Sequence, residues 1–342
     1  MAAASPRISV LIPCHNACAT LDEAVDSILQ QSLVDLEIVA VDDGSEDGTA
    51  ARLDHWAERD SRMRVLHHPH RGLIESLNAG LAECRAPLIA RMDADDRSHP
   101  ERLEAQAALL AEQPDLAVVG CLVEAFPPQE VGPGLRLYLE WQNRLIAPEA
   151  IGREIYVESP LVHPSVMMRA EWIRRVGGYQ DRGWPEDYDL WLRLHAAGGR
   201  FAKVPQTLFA WREHAGRLTH GDPRYAIDRF LSAKVFYLSQ GPLHGRQSVI
   251  VWGAGIVGKR LSRLLLAEGQ PLVAFVDIDP AKIGRTRRGL PVMGPAEFPV
   301  WWKRSPQPVL LAAVGARGAR ALVREQINTL GLVEGVDWWA VA

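Results

Sequence analysis

The chain has 342 residues, 47% of them hydrophobic, enough apolar side chain for about two domains with separate cores. A formal net charge of only -4 leaves no basic field to gather nucleic acid or anionic lipid non-specifically, which excludes polyanions as bulk partners. The opening MAAASPRISVLIP holds one apolar run, too brief for a signal peptide and far below the roughly 20 residues that span a bilayer. The expectation is a cytoplasmic protein with no transmembrane segment, for which peripheral contact with the inner face of a membrane stays open.

RISVLIP (7–13) predicts a strand, and TLDEAVDSILQQS (20–32) an amphipathic helix with Leu21, Val25, Ile28 and Leu29 on one face. LEIVAVDD (36–43) predicts a second buried strand, and a helix follows over about 49–60. MRVLHH then reads as a strand, GLIESLNAGLAEC as a helix and PLIARMD as a strand. Such alternation implies a largely parallel sheet covered on both faces, with ligands bound beyond the carboxyl ends of its strands. Asp42 and Asp43 sit at one carboxyl end and Asp93, Asp95 and Asp96 at another, so two acidic clusters share one rim. Asp93 and Asp95 are two apart at a strand end, where extended backbone turns both carboxylates to one side, a geometry suited to Mg2+ or Mn2+. Ser98 and Glu101 form a capping box for the next helix, and capping accounts for Asp96 as well, but it has no use for Asp93 and Asp95.

Glu186 and Asp187 stand where a loop enters a helix, with Leu190, Trp191 and Leu194 as the buried stripe behind them; acids there also complement the helix dipole. HHPH (67–70) reads as a solvated loop rather than a metal cluster. Cys14, Cys18, Cys84 and Cys121 form no CxxC pair matched by a second, and read as buried reduced thiols.

LSQGPLHGRQ (238–247) breaks the pattern and sets a boundary near 240–246, giving domains of 1–240 and 246–342. SVIVWGAGIVGKRLSRLLLAEG (248–269) then restarts a strand, glycine turn and helix. Gly253, Gly255 and Gly258 fit GxGxxG, with Asp277 ending the next apolar strand. Two readings stay open: a nucleotide or NAD(P) held at the helix N-terminus, or tight strand-to-helix packing with no ligand.

ISVLIPCHNACATLDEAVDSILQQS, VDDGSEDGT, LNAGLAECRAPLIARMDADDRSHPERL, HPSVMMRAEWIRRVGGY and PEDYDLWLRL, in that order, resemble the inverting nucleotide-sugar transferases of glycosyltransferase family 2. The resemblance covers about residues 7–220 and implies an α/β domain of GT-A type with a mixed, mostly parallel sheet. It implies that Pro13 and Asn16 border the nucleotide pocket, and that Asp42, with Asp43, receives the base. Asp93 and Asp95 become the DxD pair, Asp95 being the direct metal ligand and Asp93 serving donor and metal. His214, in FAWREHAGRLTH, helps hold the metal or the diphosphate. Asp187, paired with Glu186, takes the position of the catalytic base. Cys14 and His15 fill a variable stretch between Pro13 and Asn16, and Arg71–Gly72 stands where many relatives have a small or basic loop. His163 lines the acceptor side or makes a structural hydrogen bond, and Trp184 stacks on a sugar or packs.

The physical logic agrees: a divalent cation stabilises a departing diphosphate, and a positioned carboxylate takes the proton of the attacking hydroxyl. The segment AFVDIDPAKIGRTRRGLPVMG (274–294) resembles the small Rossmann-like nucleotide-binding domains of sugar acetyltransferases, over about 246–342. No tyrosine follows Tyr237, so a dehydrogenase site is not expected there. The expected function is metal-dependent, inverting transfer from a nucleotide-diphosphate sugar, UDP-sugar foremost, to the hydroxyl of a glycan, lipid-linked or small-molecule acceptor in cell-surface polysaccharide or glycolipid assembly. The alternative is a non-catalytic nucleotide-sugar sensor using the C-terminal domain. A nucleotidylyltransferase would want a glycine-rich loop after the first strand, and IPCHNACAT has no glycine.

Overall fold

The computed structural model describes residues 6–316 and 318–342. Strands β1 (Ile8–Cys14) and β2 (Leu36–Asp43) are buried along their whole lengths, which is why their sequences run apolar almost without alternation. Helices α1 (Leu21–Leu29), α2 (Thr49–Arg59) and α3 (Leu73–Glu83) follow in turn with β3 (Met63–His68), and then come β4 (Leu88–Arg91), β5 (Arg97–Ser98), α4 (Arg102–Glu112) and β6 (Leu116–Phe126). Helices α5 (Pro133–Asn143) and α6 (Pro148–Glu154) lead to β7 (Met167–Arg169), α7 (Ala170–Arg175), α8 (Glu186–Ala196) and β8 (Arg200–Arg212). The eight strands form one sheet in the order β3-β2-β1-β4-β7-β6-β8-β5. The first four run parallel, β7 is antiparallel to both its neighbours, β6 pairs β8 in parallel, and β5 is antiparallel to β8. The sheet is therefore mixed, as expected. Its core gathers Ile8, Val10, Ile12, Ile38, Val119 and Phe209 against Val25 and Ile28 of α1 and Leu103 of α4.

Two local expectations fail, one to a local turn and one to tertiary pairing that outweighs local pattern. The strand expected to reach Asp93 ends at Arg91, and Asp93–Asp96 form a turn closed by the Asp96 amide on the Asp93 carbonyl at 3.4 Å. The capping box does not form. Ser98 pairs with Phe209 in the β5–β8 ladder and its hydroxyl accepts from Gln31 Nε2 at 3.1 Å, while α4 starts only at Arg102. β3 ends at His68, as MRVLHH predicts, so only Pro69 and His70 of HHPH lie beyond the strand. Cys14, Cys84 and Cys121 are buried free thiols, whereas Cys18 is only half-buried, its sulfur accepting from Arg52 Nε at 3.2 Å.

The chain packs as two compact units. The first comprises Met1–Gly152, Pro160–Arg182 and Asp189–Gly221; the second comprises Arg153–Ser159, Gly183–Tyr188 and Asp222–Ala342. After α9 (Leu218–Gly221) and α10 (Ile227–Gln240), the second unit carries β9 (Ser248–Trp252), α11 (Ile256–Ala267), β10 (Leu272–Val276), β11 (Thr286–Arg287), β12 (Leu290–Met293), α12 (Phe298–Arg304), β13 (Pro308–Ala312), α13 (Ala319–Thr329) and β14 (Trp338–Ala340). Its six strands are ordered β11-β12-β10-β9-β13-β14, all parallel apart from the β11–β12 hairpin. Trp252, Trp338, Tyr188, Phe275 and Phe298 are its largest fully buried side chains. Among the described residues no helix is long and apolar enough to cross a membrane.

Candidate functional site

At the carboxyl ends of β1 and β2 the chain turns twice, and the two turns are stitched together. Pro13 is within β1, and Asn16 just beyond it adopts a left-handed φ of 51°. The Asn16 amide donates to Ser45 Oγ (2.9 Å), the Glu46 amide to Asn16 Oδ1 (2.9 Å) and the Cys18 amide to Asp47 Oδ2 (3.0 Å). Asp42 and Asp43 are both buried. Asp42 accepts from the Ser45 amide (3.2 Å) and faces His67 Nδ1 (3.2 Å); Asp43 accepts from the amides of Arg71 (2.8 Å) and Gly72 (2.9 Å). Gly44, which follows Asp43, has φ +69°, and a Cβ there would lie 2.6 Å from the His70 backbone nitrogen, so only glycine fits.

His67, Pro69 and His70 of HHPH are exposed, as expected, and His67 also joins Asp42 to Asp54 (2.9 Å), the two acids, Asp54 first, holding its ring above the ordinary proton affinity. His70 stacks on His15 with ring centres 4.2 Å apart, and both Nδ1 atoms reach the Asp43 carbonyl, at 2.9 Å for His15 and 3.1 Å for His70. His15, Asp43 and His70 are close enough to share a cation. The hydrogen bonds speak otherwise: Asn16 Oδ1 takes the Glu46 amide, so its Nδ2 donates to His15 Nε2 (3.2 Å), and His15 Nδ1 carries the proton it gives to Asp43. The pair is a latch between turns.

Beyond β4, Asp93, Asp95 and Asp96 bring one carboxylate oxygen each within 4.8 Å of one another. Buried Arg91 holds Asp93 (2.6 Å), and His214 Nε2 lies 2.8 Å from Asp95 Oδ2. Asp96 is 1% exposed; its Oδ1 accepts from the Arg212 amide (2.7 Å), and its Oδ2 has no hydrogen-bond partner. Burial and the Asp93 charge raise Asp95 against the pull of His214, and burial with both neighbours raises Asp96 well above the carboxylate range. Acids this close need protons or a cation, and a buried orphan oxygen among hard oxygen donors fits a divalent metal. The sequence sets Asp96 in the acidic trio but lets capping account for it; its burial is what separates it from a cap.

Glu186 and Asp187, in the second unit, open α8. Glu186 is buried, and the Tyr225 hydroxyl sits 3.0 and 2.8 Å from its two oxygens. Asp187 is half-buried and accepts from the Tyr188 amide (2.7 Å). Burial first, then the charges of Glu186 and Glu158, push its carboxyl up to about 8. Tyr188 donates its hydroxyl to the Ile155 carbonyl (2.7 Å), and the segment holding Ile155 is tied down by Lys234 Nζ on Val157 O (2.6 Å) and by Glu154 between Arg320 (2.9 Å) and Arg324 (2.8 Å). Trp184 packs on Phe236, with ring centres 5.5 Å apart. Tyr225 had no local signal in the sequence, since it lies 39 residues from the acid it touches. In the first unit, His163 is buried with Nε2 2.8 Å from the Tyr179 hydroxyl and its ring edge-on to Trp191; burial, then Arg91, lowers its proton affinity and keeps it neutral. Leu190, Trp191 and Leu194 form the expected buried stripe.

In the glycine turn after β9, a Cβ on Gly258 would lie 1.8 Å from the Gly253 carbonyl, and one on Gly253, at φ +117°, 2.8 Å from the Ala313 carbonyl. Both glycines thus have packing reasons. Gly255, which opens α11, has none: a Cβ there meets nothing within 4 Å. Asp277 accepts from the Ala254 amide (2.8 Å) and the Asp279 amide (2.9 Å) and pairs with Lys282 (3.2 Å).

The model of the family described as glycosyl transferase family 2 matches residues 9–177. The amylovoran biosynthesis glycosyltransferase AmsE of Erwinia amylovora is 33% identical over 207 residues, 60% of this chain and 75% of that protein. The O-antigen biosynthesis glycosyltransferase WbnJ of Escherichia coli is 30% identical over 210 residues, 60% of this chain and 80% of that protein. Among solved structures, the mannosyltransferase PcManGT from Pyrobaculum calidifontis in complex with GDP-Man and Mn2+ shares the fold at a TM-score of 0.53 and 20% identity, covering 77% of this chain and 69% of that one.

Proposed function

We propose metal-assisted, inverting transfer of a sugar from a nucleoside diphosphate to an acceptor hydroxyl, from the premise that the chain belongs to glycosyl transferase family 2 and is a glycosyltransferase. The observation that carries the reading is the acidic trio with its buried orphan oxygen on Asp96. Asp93, Asp95 and Asp96, with His214, would hold Mn2+ or Mg2+, which when bound stabilises the negative charge of the departing diphosphate. A relative in fold that holds GDP-Man and Mn2+ supports this choice. Pro13, Asn16, Asp42 and Asp43 wall the nucleotide, and UDP-sugars are the first donors to try.

Asp187 is the general base. A carboxyl near 8 exchanges protons in the range where a hydroxyl must give one up, and its partial exposure leaves a path to an acceptor. Direct displacement by that hydroxyl needs no enzyme nucleophile, so no serine or cysteine takes part. Relatives named for amylovoran and O-antigen biosynthesis support a glycan or lipid-linked acceptor in cell-surface polysaccharide assembly. In the second unit we read a Rossmann-like domain in which Gly255 leaves room for a nucleotide or NAD(P) phosphate at the start of α11.

The test is nucleoside diphosphate release from UDP- and GDP-sugars with Mn2+, in wild type and D187N. Turnover should stop on chelation, and D187N should lose about 10²- to 10⁴-fold without a lower melting temperature. Donor binding without release under any condition would sink the transferase mechanism and leave a sensor.

A further inference from the structure

We propose that a cleft between α1 and α2 binds an acidic saccharide, with residues that the donor and metal assignments do not use. The cleft measures about 390 Å³, the size of a small-ligand pocket, and is lined by Asp22, Ala51, Arg52, His55, Trp56 and Arg59. It originates in TAARLDHWAER, the sequence of α2. Leu53 is buried, while Arg52, His55 and Arg59, at positions i, i+3 and i+7, share an exposed face beside the half-buried Trp56. Asp22 joins them from the first turn of α1.

The cleft is short of acceptors. Asp22, the one acid in its lining, already accepts from Trp56 Nε1 (2.9 Å) at one oxygen and from Arg52 at the other. Arg52 also gives its Nε to Cys18 Sγ (3.2 Å), which leaves its Nη2 over. Arg59 Nη1 donates to His55 Nε2 (3.3 Å), so His55 Nδ1 carries the ring proton and is a further donor. Among the described residues Arg59 pairs with no carboxylate, whereas Arg62 and Arg64 just beyond α2 are paired, with Asp60 (2.8 Å) and Glu37 (3.4 Å). Surplus N–H groups beside one spent acceptor suit an anion rich in oxygen. Arg52 and Arg59 lie two helical turns apart, about 10 Å along α2, too far for the oxygens of one phosphate to serve both. Two sugar rings cover that length, with a carboxylate on one guanidinium and ring hydroxyls on the other donors, and a glycosyltransferase handles such chains.

The experiment follows the Trp56 indole N–H, assigned by its absence in W56F, while the full-length chain is titrated with a glucuronyl-glucose disaccharide, with neutral cellobiose and with inorganic phosphate. The acidic disaccharide should shift that signal in the millimolar range, and cellobiose and phosphate should each bind at least about tenfold more weakly. R59Q and H55A, both at exposed positions, should weaken the acidic disaccharide by about tenfold and about threefold at the wild-type melting temperature. A silent indole, cellobiose that binds as well as the acid, or an R59Q affinity like that of wild type overturns the proposal. Phosphate that matches the disaccharide overturns it too and leaves a bare anion site. UDP added to the same sample separates the cleft from the donor reading. UDP bound with a silent Trp56 removes the cleft alone, whereas acidic disaccharide bound in a chain that takes no UDP spares the cleft and removes the donor site.

Discussion

A carboxyl pushed up to about 8 by burial and by a neighbouring acid folds more readily with its proton than without it, which links Asp187 to stability as well as to chemistry. Its contribution is full below the unfolded value of about 3.9 and is lost as pH rises through the folded value. Thermal melts should therefore show D187N matching wild type near pH 4 and exceeding it at pH 9, by roughly 1–3 kcal/mol, even as it loses turnover. With Asp187 as the proposed base, turnover of the wild type should climb with pH to a plateau above about 8, where the carboxyl has released its proton. Asp93, Asp95 and Asp187 were visible in the sequence because acids after apolar strands and at a helix entry serve no core. The roles of Asp96 and Tyr225 were not, because what marks them is a buried orphan oxygen and a contact across 39 residues.

Within the glycine turn of the second unit, three glycines that look alike in sequence have different reasons to be there. Gly258 faces a carbonyl at 1.8 Å, so G258A should cost about 2 kcal/mol or more in urea unfolding. G255A should fold as well as wild type, because nothing lies within 4 Å of the added methyl. If α11 receives a phosphate, G255A should still weaken nucleotide or NAD(P) binding in calorimetry, and a binding curve like that of wild type would leave the turn with packing alone. Strand and helix positions along residues 7–91 were legible from apolar run and period. The capping box was not: Ser98 and Glu101 have the right spacing, but pairing with Phe209 draws Ser98 into a ladder.

At the level of the molecule, the buried Glu154 carboxylate lies between Arg320 and Arg324, which remain 31% and 21% exposed. Replacing both arginines by alanine should lower stability by about 2 kcal/mol, less than for a fully buried pair because solvent screens the arginines. It should also lower turnover, by loosening the segment on which the Tyr188 hydroxyl rests. Two chain segments, Arg153–Ser159 and Gly183–Tyr188, are threaded out of the first unit's sequence into the second unit's body. Recombination that exchanged everything after residue 246 for a foreign module would strip Arg320 and Arg324 from Glu154 and leave those segments held only by the 222–246 part of their unit. The smallest transplantable piece of this enzyme consists of three separated stretches of chain, and a lineage that inherits one must inherit the others.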